Sequence, residues 1–383
     1  MLSTYSLKLP AAVYSGENAM DNLEAILSDG TTHVALFTEQ VMLDLGLCAR
    51  ALEIMKACGI QVSIKADLAV EPAYAQVQEV VDWYCQTGAD RILAIGGGSV
   101  MDAAKLVSVL AGSSYTVKDL LDDPTLAKKQ VKSTMVPTTA GTGAEATPNA
   151  IVAVPEDELK VGIVNAAMIA DEVILDDRMI KNLPRPIAAA TGIDALCHAI
   201  ECFTSTKANP FSDTFALEAF DLILNNIEAA CDDADAVEAK RAMQLGSFYA
   251  GIAITAAGTT AVHALSYPLG GKFHVAHGVS NAILLMPVMR FNEPAIRERL
   301  ALAYDRAIAG EAASAEEKSA AVIERMGVIV RHLDIPTKLD QLGIEDADID
   351  QLAAAGMTVQ RLLVNNMREV TLEDARAIYA QIL

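Results

Sequence analysis

Along the first half of the chain, short β-branched runs alternate with stretches of helical period. Residues 33–38 read as a strand and residues 42–59 as a helix closed by a glycine. Residues 61–65 form an alternating strand. Residues 74–87 are helical and stop at Gly88. Residues 91–95 are a continuous apolar strand that runs into a glycine triplet, and residues 100–111 form the next helix. Residues 133–136 and 150–154 read as further strands. Strands and helices alternating at this spacing predict a mainly parallel sheet covered on both faces.

Near residue 180 the strand signal stops. Helical stretches follow at 186–204, 213–231, 236–257, 282–291, 296–309, 316–333 and from Leu372 onward. The switch predicts two domains: an α/β domain over 1–180 and an all-helical one over 181–383.

Of the 383 residues, 52% are hydrophobic, enough for a large core and too many for a disordered chain. There are 50 acidic and 29 basic residues, a formal charge of −21. That surface argues against nucleic acid and against anionic membranes as partners. No apolar run approaches the ~18 residues of a membrane span. The start of the chain lacks a basic segment followed by an apolar one, so no secretory signal is read. Six cysteines without a CxxC pair predict reduced thiols and a cytoplasmic location.

Two loops suit a nucleotide. Gly96-Gly97-Gly98-Ser99 follows a strand, opens a helix and continues to Asp102 and Lys105. Glycines admit a close ligand, and a helix start offers free N–H groups to phosphate. An ordinary tight turn needs the same glycines. The second loop, Pro137-Thr138-Thr139-Ala140-Gly141-Thr142-Gly143-Ala144-Glu145, carries three hydroxyls and two glycines where a phosphate or ribose can bind. Local turn bonds explain such a loop equally well.

The histidines suggest a metal. Four of the six lie between His198 and His277. Asp194 and His198 stand four residues apart, on one face of the 186–204 helix. His263 and His277 flank a Pro/Gly break at 268–271, where the chain can turn back. One carboxylate and three imidazoles suit Fe²⁺ or Zn²⁺. Each histidine alone is as well explained by core packing.

Together, GGGSxxDxxK, PTTAGTxAE, the segment from Gly192 to Glu201 and the His263/His277-Gly278 pair resemble the iron-activated alcohol dehydrogenases of the dehydroquinate-synthase-like superfamily. The resemblance spans nearly the whole chain. It implies an α/β dinucleotide-binding domain, an all-α second domain and an active site in the cleft between them. It implies that Gly96, Gly97, Gly98, Ser99 and Asp102 serve the pyrophosphate of the dinucleotide. Thr138, Thr139 and Thr142 would meet phosphate, ribose or nicotinamide. Asn149 and Lys160 match polar residues of the family's site. Asp194, His198, His263 and His277 match its four metal ligands, with Fe²⁺ expected before Zn²⁺. The implied chemistry is hydride transfer between an alcohol activated by the metal and the nicotinamide. Glu39 stands where many NAD-preferring relatives carry Asp, so NAD is expected over NADP. Lys105 is expected to add positive charge near the cofactor.

Three positions depart from the family. Tyr267 replaces a histidine assigned to proton relay, so His274 or a water chain is expected to carry the proton, with Tyr267 orienting it. Ile254 and Thr259 replace bulkier apolar residues, which points to a roomier, more polar pocket and a hydroxylated or carboxylated short substrate. Met367 interrupts the usual Asn-Pro-Arg at Asn366 and Arg368. Within the superfamily, a zinc glycerol-dehydrogenase-like enzyme, a hydroxyacid–oxoacid transhydrogenase and a metal-dependent lyase remain alternatives. Relatives also suggest a homodimer or larger homo-oligomer, with the first strand, residues 7–14, pairing with its twin.

Overall fold

In the computed structural model, which describes residues 4–157, 159–308 and 310–383, the apolar runs of the first half become strands. These are β1 (Ala12–Gly16), β2 (His33–Phe37), β3 (Gln61–Lys65), β4 (Arg91–Gly96), β5 (Lys132–Pro137), β6 (Asn149–Val154), β7 (Leu159–Val164) and β8 (Glu172–Asp176). Between them run α1 (Leu23–Ile26), α2 (Gln40–Asp44), α3 (Ala49–Ala57), α4 (Tyr74–Thr87), α5 (Gly98–Leu110) and α6 (Val117–Asp122). Contacts divide the chain into two compact units. The first comprises Lys8–Thr139 and Gly143–Leu183. The second comprises Pro184–Leu383 with Ala140–Thr142 and the described residues as far as Leu7.

The first unit is built on a six-stranded sheet in the order β1-β8-β5-β4-β2-β3, parallel throughout. Leu36, Ile95, Val136 and Ile174 bury one side chain each from four neighbouring strands, together with Met20 and Met55. From β2 the chain moves outward to β3, then returns to place β4 on the other side of β2. The carboxyl ends of β2 and β4 thus form a topological switch point, where open α/β sheets bind ligands.

Several elements differ from the sequence reading. The expected helix over 42–59 is two helices, α2 and α3, because Gly46 takes a left-handed conformation (φ +73°) and reverses the chain between them. Residues 150–154 do form a strand, but β6 leaves the parallel sheet and pairs antiparallel with β7. Its continuous apolar run marked a strand and said nothing of its partner. Strand β8, unread in the sequence, fills the sheet between β1 and β5.

The second unit is helical: α7 (Arg185–Phe203), α8 (Pro210–Asp232), α9 (Val237–Ala257), α10 (Ala261–Phe273), α11 (His277–Ala307), α12 (Ala315–His332), α13 (Ile349–Met357), α14 (Gln360–Leu363) and α15 (Leu372–Ala380). Helix α7 is buried on nearly every side beyond its first turn, in keeping with its mostly apolar sequence, and that burial takes in Asp194, His198 and Glu201. Asn209 caps α8, its side chain accepting from Phe211 and Ser212 N–H groups. The expected helices at 282–291 and 296–309 are one 31-residue helix, α11, that continues through Pro287 and Pro294. Residue Ala309, the expected end, lies outside the described residues. The expected break at 268–271 is also absent: α10 runs through Pro268 to Phe273, and the reversal falls at His274, in the left-handed region (φ +54°).

Among the described residues, no single helix is long and apolar enough to cross a membrane, although the bent pair α9 and α10 passes on length and composition together. All six cysteines are free.

Candidate metal centre and cofactor loops

Helix α7 brings Asp194, His198 and Glu201 to one face by their spacing of four and three residues. Helix α10 contributes His263 from its first turn, and α11 begins with His277. One ligand atom from each of Asp194, His198, His263 and His277 lies within 4.8 Å of all the others. The Nε2 atoms of His198, His263 and His277 stand 3.8, 3.5 and 3.6 Å from Asp194 Oδ1. Four donors at 2.0–2.2 Å around a tetrahedral ion would be separated by about 3.3–3.6 Å. The spacing therefore fits a metal, and the mixed oxygen and nitrogen donors suit Fe²⁺ or Zn²⁺. The Asn281 amide donates to Asp194 Oδ1 (2.7 Å) and lies 3.1 and 3.3 Å from the Nε2 atoms of His263 and His277. Its own carbonyl oxygen is buried with no partner among the described residues.

Two of the three rings, those of His198 and His263, are held from behind. His198 Nδ1 is 3.3 Å from the Gly141 carbonyl, so loop residues Ala140–Thr142 cluster with the helical unit. A side chain on Gly141 would collide with Thr191, its Cβ only 2.6 Å from that of Thr191. His263 Nδ1 bonds Glu201 Oε2. Glu201 is fully buried, and its other oxygen accepts from Thr260 N (3.0 Å), Thr260 Oγ1 (2.7 Å) and Val262 N (2.8 Å). A carboxylate that fixes an imidazole's tautomer leaves Nε2 directed at the metal.

The charges follow from these contacts. Burial opposes ionisation of Asp194, yet the imidazoles of His198, His277 and His263 outweigh it and hold the carboxyl far below the ordinary range. Burial pushes His198 down to about 4, so it is neutral and ready to ligate. His263 is also resisted by burial, but Glu201 and Asp194 on either side raise it to about 10. A cation bound there takes the place of that proton.

Glu201 and Asn281 were not singled out in the sequence. Glu201 stands seven residues from Asp194 and Asn281 four from His277, so helical spacing alone placed both on ligand-bearing faces.

Of the candidate cofactor loops, the glycine loop lies in the first unit at the switch point, and the threonine loop is shared, with Ala140–Thr142 in the second unit. Gly96 ends β4 and Gly98 opens α5. A Cβ on Gly96 would sit 2.7 Å from Val100, so helix and strand approach too closely for any side chain there. A Cβ on Gly97 would meet nothing nearer than 3.9 Å, so the loop is open on that side. Glu39 follows β2 and caps α2; burial raises its carboxyl, while the Gly97 N–H donates to it and lowers it. Thr138 is buried and its hydroxyl has no partner among the described residues, a donor and acceptor left available next to the glycine loop. Its backbone N–H bonds Gly96 O (3.0 Å). These features fit a dinucleotide.

Other expected contributors sit differently. Ser99 Oγ accepts from Glu71 N–H (3.1 Å), and Lys160 Nζ pairs with Glu71 (2.6 Å). Both Asp102 oxygens are engaged, one by Lys105 (3.1 Å) and the other by Ile151 N–H (3.0 Å), so Asp102 braces α5 against β6. Lys105 does not offer its charge to a ligand: it is wholly buried, held by Asp102, Thr147 Oγ1 (3.1 Å) and Asn149 O (2.6 Å). A buried ammonium requires those partners. Asn149 is half-buried at the start of β6, and Thr139 stands beside Gly97. Tyr267, half-buried in α10, has its ring 6.0 Å from that of His277, whereas His274 is exposed at the turn after α10.

Two family models match the chain: iron-containing alcohol dehydrogenase over residues 10–177, and the C-terminal part of the Fe-containing alcohol dehydrogenase family over 188–383. Long-chain-alcohol dehydrogenase 1 of Geobacillus thermodenitrificans is 32% identical over 99% of this chain and 96% of its own length. Lactaldehyde reductase of Escherichia coli K12 is 31% identical over 91% of this chain and 92% of its own. The crystal structure of a 1,3-propanediol oxidoreductase superposes with a TM-score of 0.95 at 27% identity, covering all of both chains. The alcohol dehydrogenase from Oenococcus oeni gives 0.94 at 26% identity, covering 99% of this chain and 100% of that one. Motifs, metal-ligand geometry and these likenesses agree, and the chain belongs to the iron-containing alcohol dehydrogenase family, a family of oxidoreductases.

Proposed function

We propose that the protein is an iron-dependent, NAD-linked dehydrogenase that interconverts short, polar or hydroxylated alcohols and their aldehydes. The observation that carries this reading is the convergence of Asp194, His198, His263 and His277 within 4.8 Å of one another. When bound, iron supplies Lewis acidity to the substrate oxygen and the nicotinamide supplies two-electron hydride chemistry.

The chain's own residues do the rest. Asp194 holds a negative charge among three imidazoles, which makes the site selective for a cation. Glu201 and the Gly141 carbonyl orient His263 and His198. Gly96, Gly97, Gly98 and Ser99 present the start of α5 to a pyrophosphate, and Thr138, Thr139 and Thr142 offer hydroxyls to phosphate and ribose. Asn149 and Lys160 are assigned to the same ligand. Asp102 acts on it indirectly, by fixing α5. Glu39 accepts from ribose hydroxyls and repels a 2′-phosphate, which favours NAD over NADP. The exposed ring of His274 exchanges the substrate proton with water, and Tyr267 orients the path. Ile254 and Thr259 leave room for polar groups on the substrate. Six free thiols suit a cytoplasmic location. The outer side of β1 has no partner strand among the described residues, so we assign it to a homodimer contact.

The test follows NADH absorbance with a panel of aldehydes and alcohols, on protein stripped of metal and reloaded with Fe²⁺ or Zn²⁺. Activity restored best by Fe²⁺, with NAD over NADP and with the preference relaxed in Glu39→Gly, is expected. Activity in the stripped protein, or NADP preference in the unsubstituted one, overturns the corresponding part.

A further inference from the structure

Tyr267 stands one turn beyond His263 in α10, with its ring beside the His277 ring. Its hydroxyl accepts a hydrogen bond from the Arg361 guanidinium (3.2 Å), whose central carbon lies 5.8 Å from the tyrosine ring centroid. That bond leaves the tyrosine's own O–H free to donate. Arg361 lies in α14, exposed to solvent.

Most other arginines of this acidic chain are held by carboxylates; among the described residues Arg290 and Arg368 are not, and Arg368 bonds the Phe291 carbonyl and covers the Phe291 ring. Arg91 is clamped by Asp29 and Glu172, Arg325 by Glu228 and Arg299 by Asp213. Among the described residues, no carboxylate pairs with Arg361. A chain with 50 acidic residues has left this guanidinium without a carboxylate, bonded to a tyrosine whose ring lies 6.0 Å from that of His277. Its fork of N–H donors, joined by a phenolic O–H, is shaped for a planar oxyanion.

We infer that Arg361 and Tyr267 form a subsite for a carboxylate on the substrate, so that the site accepts short ω-hydroxy acids and their semialdehydes. The inference rests on the dehydrogenase reading for its turnover and on Arg361 alone for its binding. With the hydroxyl end at the Asp194/His198/His263/His277 cluster and the acid end at Arg361, chain length becomes the selected property. A neutral diol of equal length has the first contact and lacks the second.

The experiment compares kcat/KM for ω-hydroxy acids of three to six carbons with that for diols of matching length, in the iron-loaded protein. One acid is expected to exceed its diol. In Arg361→Leu the acid-to-diol ratio falls about 10- to 100-fold, the scale of a charge-assisted hydrogen bond, mostly through KM. Arg361→Lys recovers part of it. Arg290→Leu, about 20 Å along α11 from His277 at 1.5 Å per residue, leaves the ratio in place. An unchanged ratio in Arg361→Leu, or an equal fall in Arg290→Leu, overturns the subsite. Butanoate, which has the carboxylate and no hydroxyl, is followed by ligand-observed NMR on the same proteins. Binding that depends on Arg361 supports the subsite even where no substrate turns over, in which case only the dehydrogenase reading falls. Binding that is absent or indifferent to Arg361 overturns the subsite.

Discussion

Replacing Glu201 by glutamine changes two atoms' worth of chemistry at the back of His263. The amide oxygen keeps the role of Oε1, accepting from Thr260 and Val262. The amide nitrogen then faces His263 Nδ1 in place of Oε2. Two donors cannot share that contact. The ring must move its proton to Nε2, where a metal needs a lone pair, or lose its orienting bond. A hydrogen bond to a charged group is worth about 1.5–3 kcal/mol. Loss of such a partner behind a ligating histidine lowers metal affinity about 10- to 100-fold. The variant is isosteric, so the buried side chain leaves no cavity. The assay is competition between the protein and a chelator for Co²⁺ or Zn²⁺, with the Co²⁺ absorption spectrum as a report of ligand geometry. Thermal unfolding of the metal-free form tests that the variant folds. Affinity within threefold of the unsubstituted protein, with an unchanged spectrum, would falsify the positioning role.

Three further outcomes are expected. Gly278→Ala puts a Cβ 2.1 Å from the Ala190 carbonyl oxygen, backbone that cannot swing aside, so α11 must shift from α7 beside His277; a loss of about 1–3 kcal/mol in denaturant unfolding is expected, with metal retention impaired. Glu145 is pushed up to about 7 by burial, with only its own N–H and the field of Lys105 opposing; the folded form therefore binds more protons than the unfolded one between about pH 4.5 and 7, and stability falls as pH rises through that window by up to about 3 kcal/mol. Glu145→Gln should accordingly gain stability at pH 8 and little at pH 4.5, and a gain independent of pH would remove burial as the cause. His274→Ala should alter the pH–rate profile while leaving metal content unchanged; a superimposable profile assigns the proton path elsewhere.

The candidate cofactor loops and the Asp/His cluster were legible because their spacing is local. Gly96–Ser99 must follow a strand and open a helix, and Asp194 and His198 must share a helical face. The helix over 74–87 was equally plain, since Gly88 takes the left-handed conformation that ends it. Glu201 was hidden for a different reason. A glutamate in an apolar helix gives no sign of its partner until α10 folds back to place Thr260 and His263 on it. Lys105 was misjudged on the same ground: the sequence shows a charge near a glycine loop, and only the fold shows that charge enclosed by Asp102, Thr147 and Asn149.

Periodicity, turn residues and side-chain spacing along the chain determined the α/β then all-helical order, the strands at β2, β3 and β4, and the four candidate ligands. Tertiary structure decided which strands are neighbours, that β6 leaves the main sheet, that Pro287 and Pro294 lie within one helix, and that Arg361 meets Tyr267. Each of these depends on groups far apart in sequence, whose energies of burial and pairing exist only once the chain has brought them together.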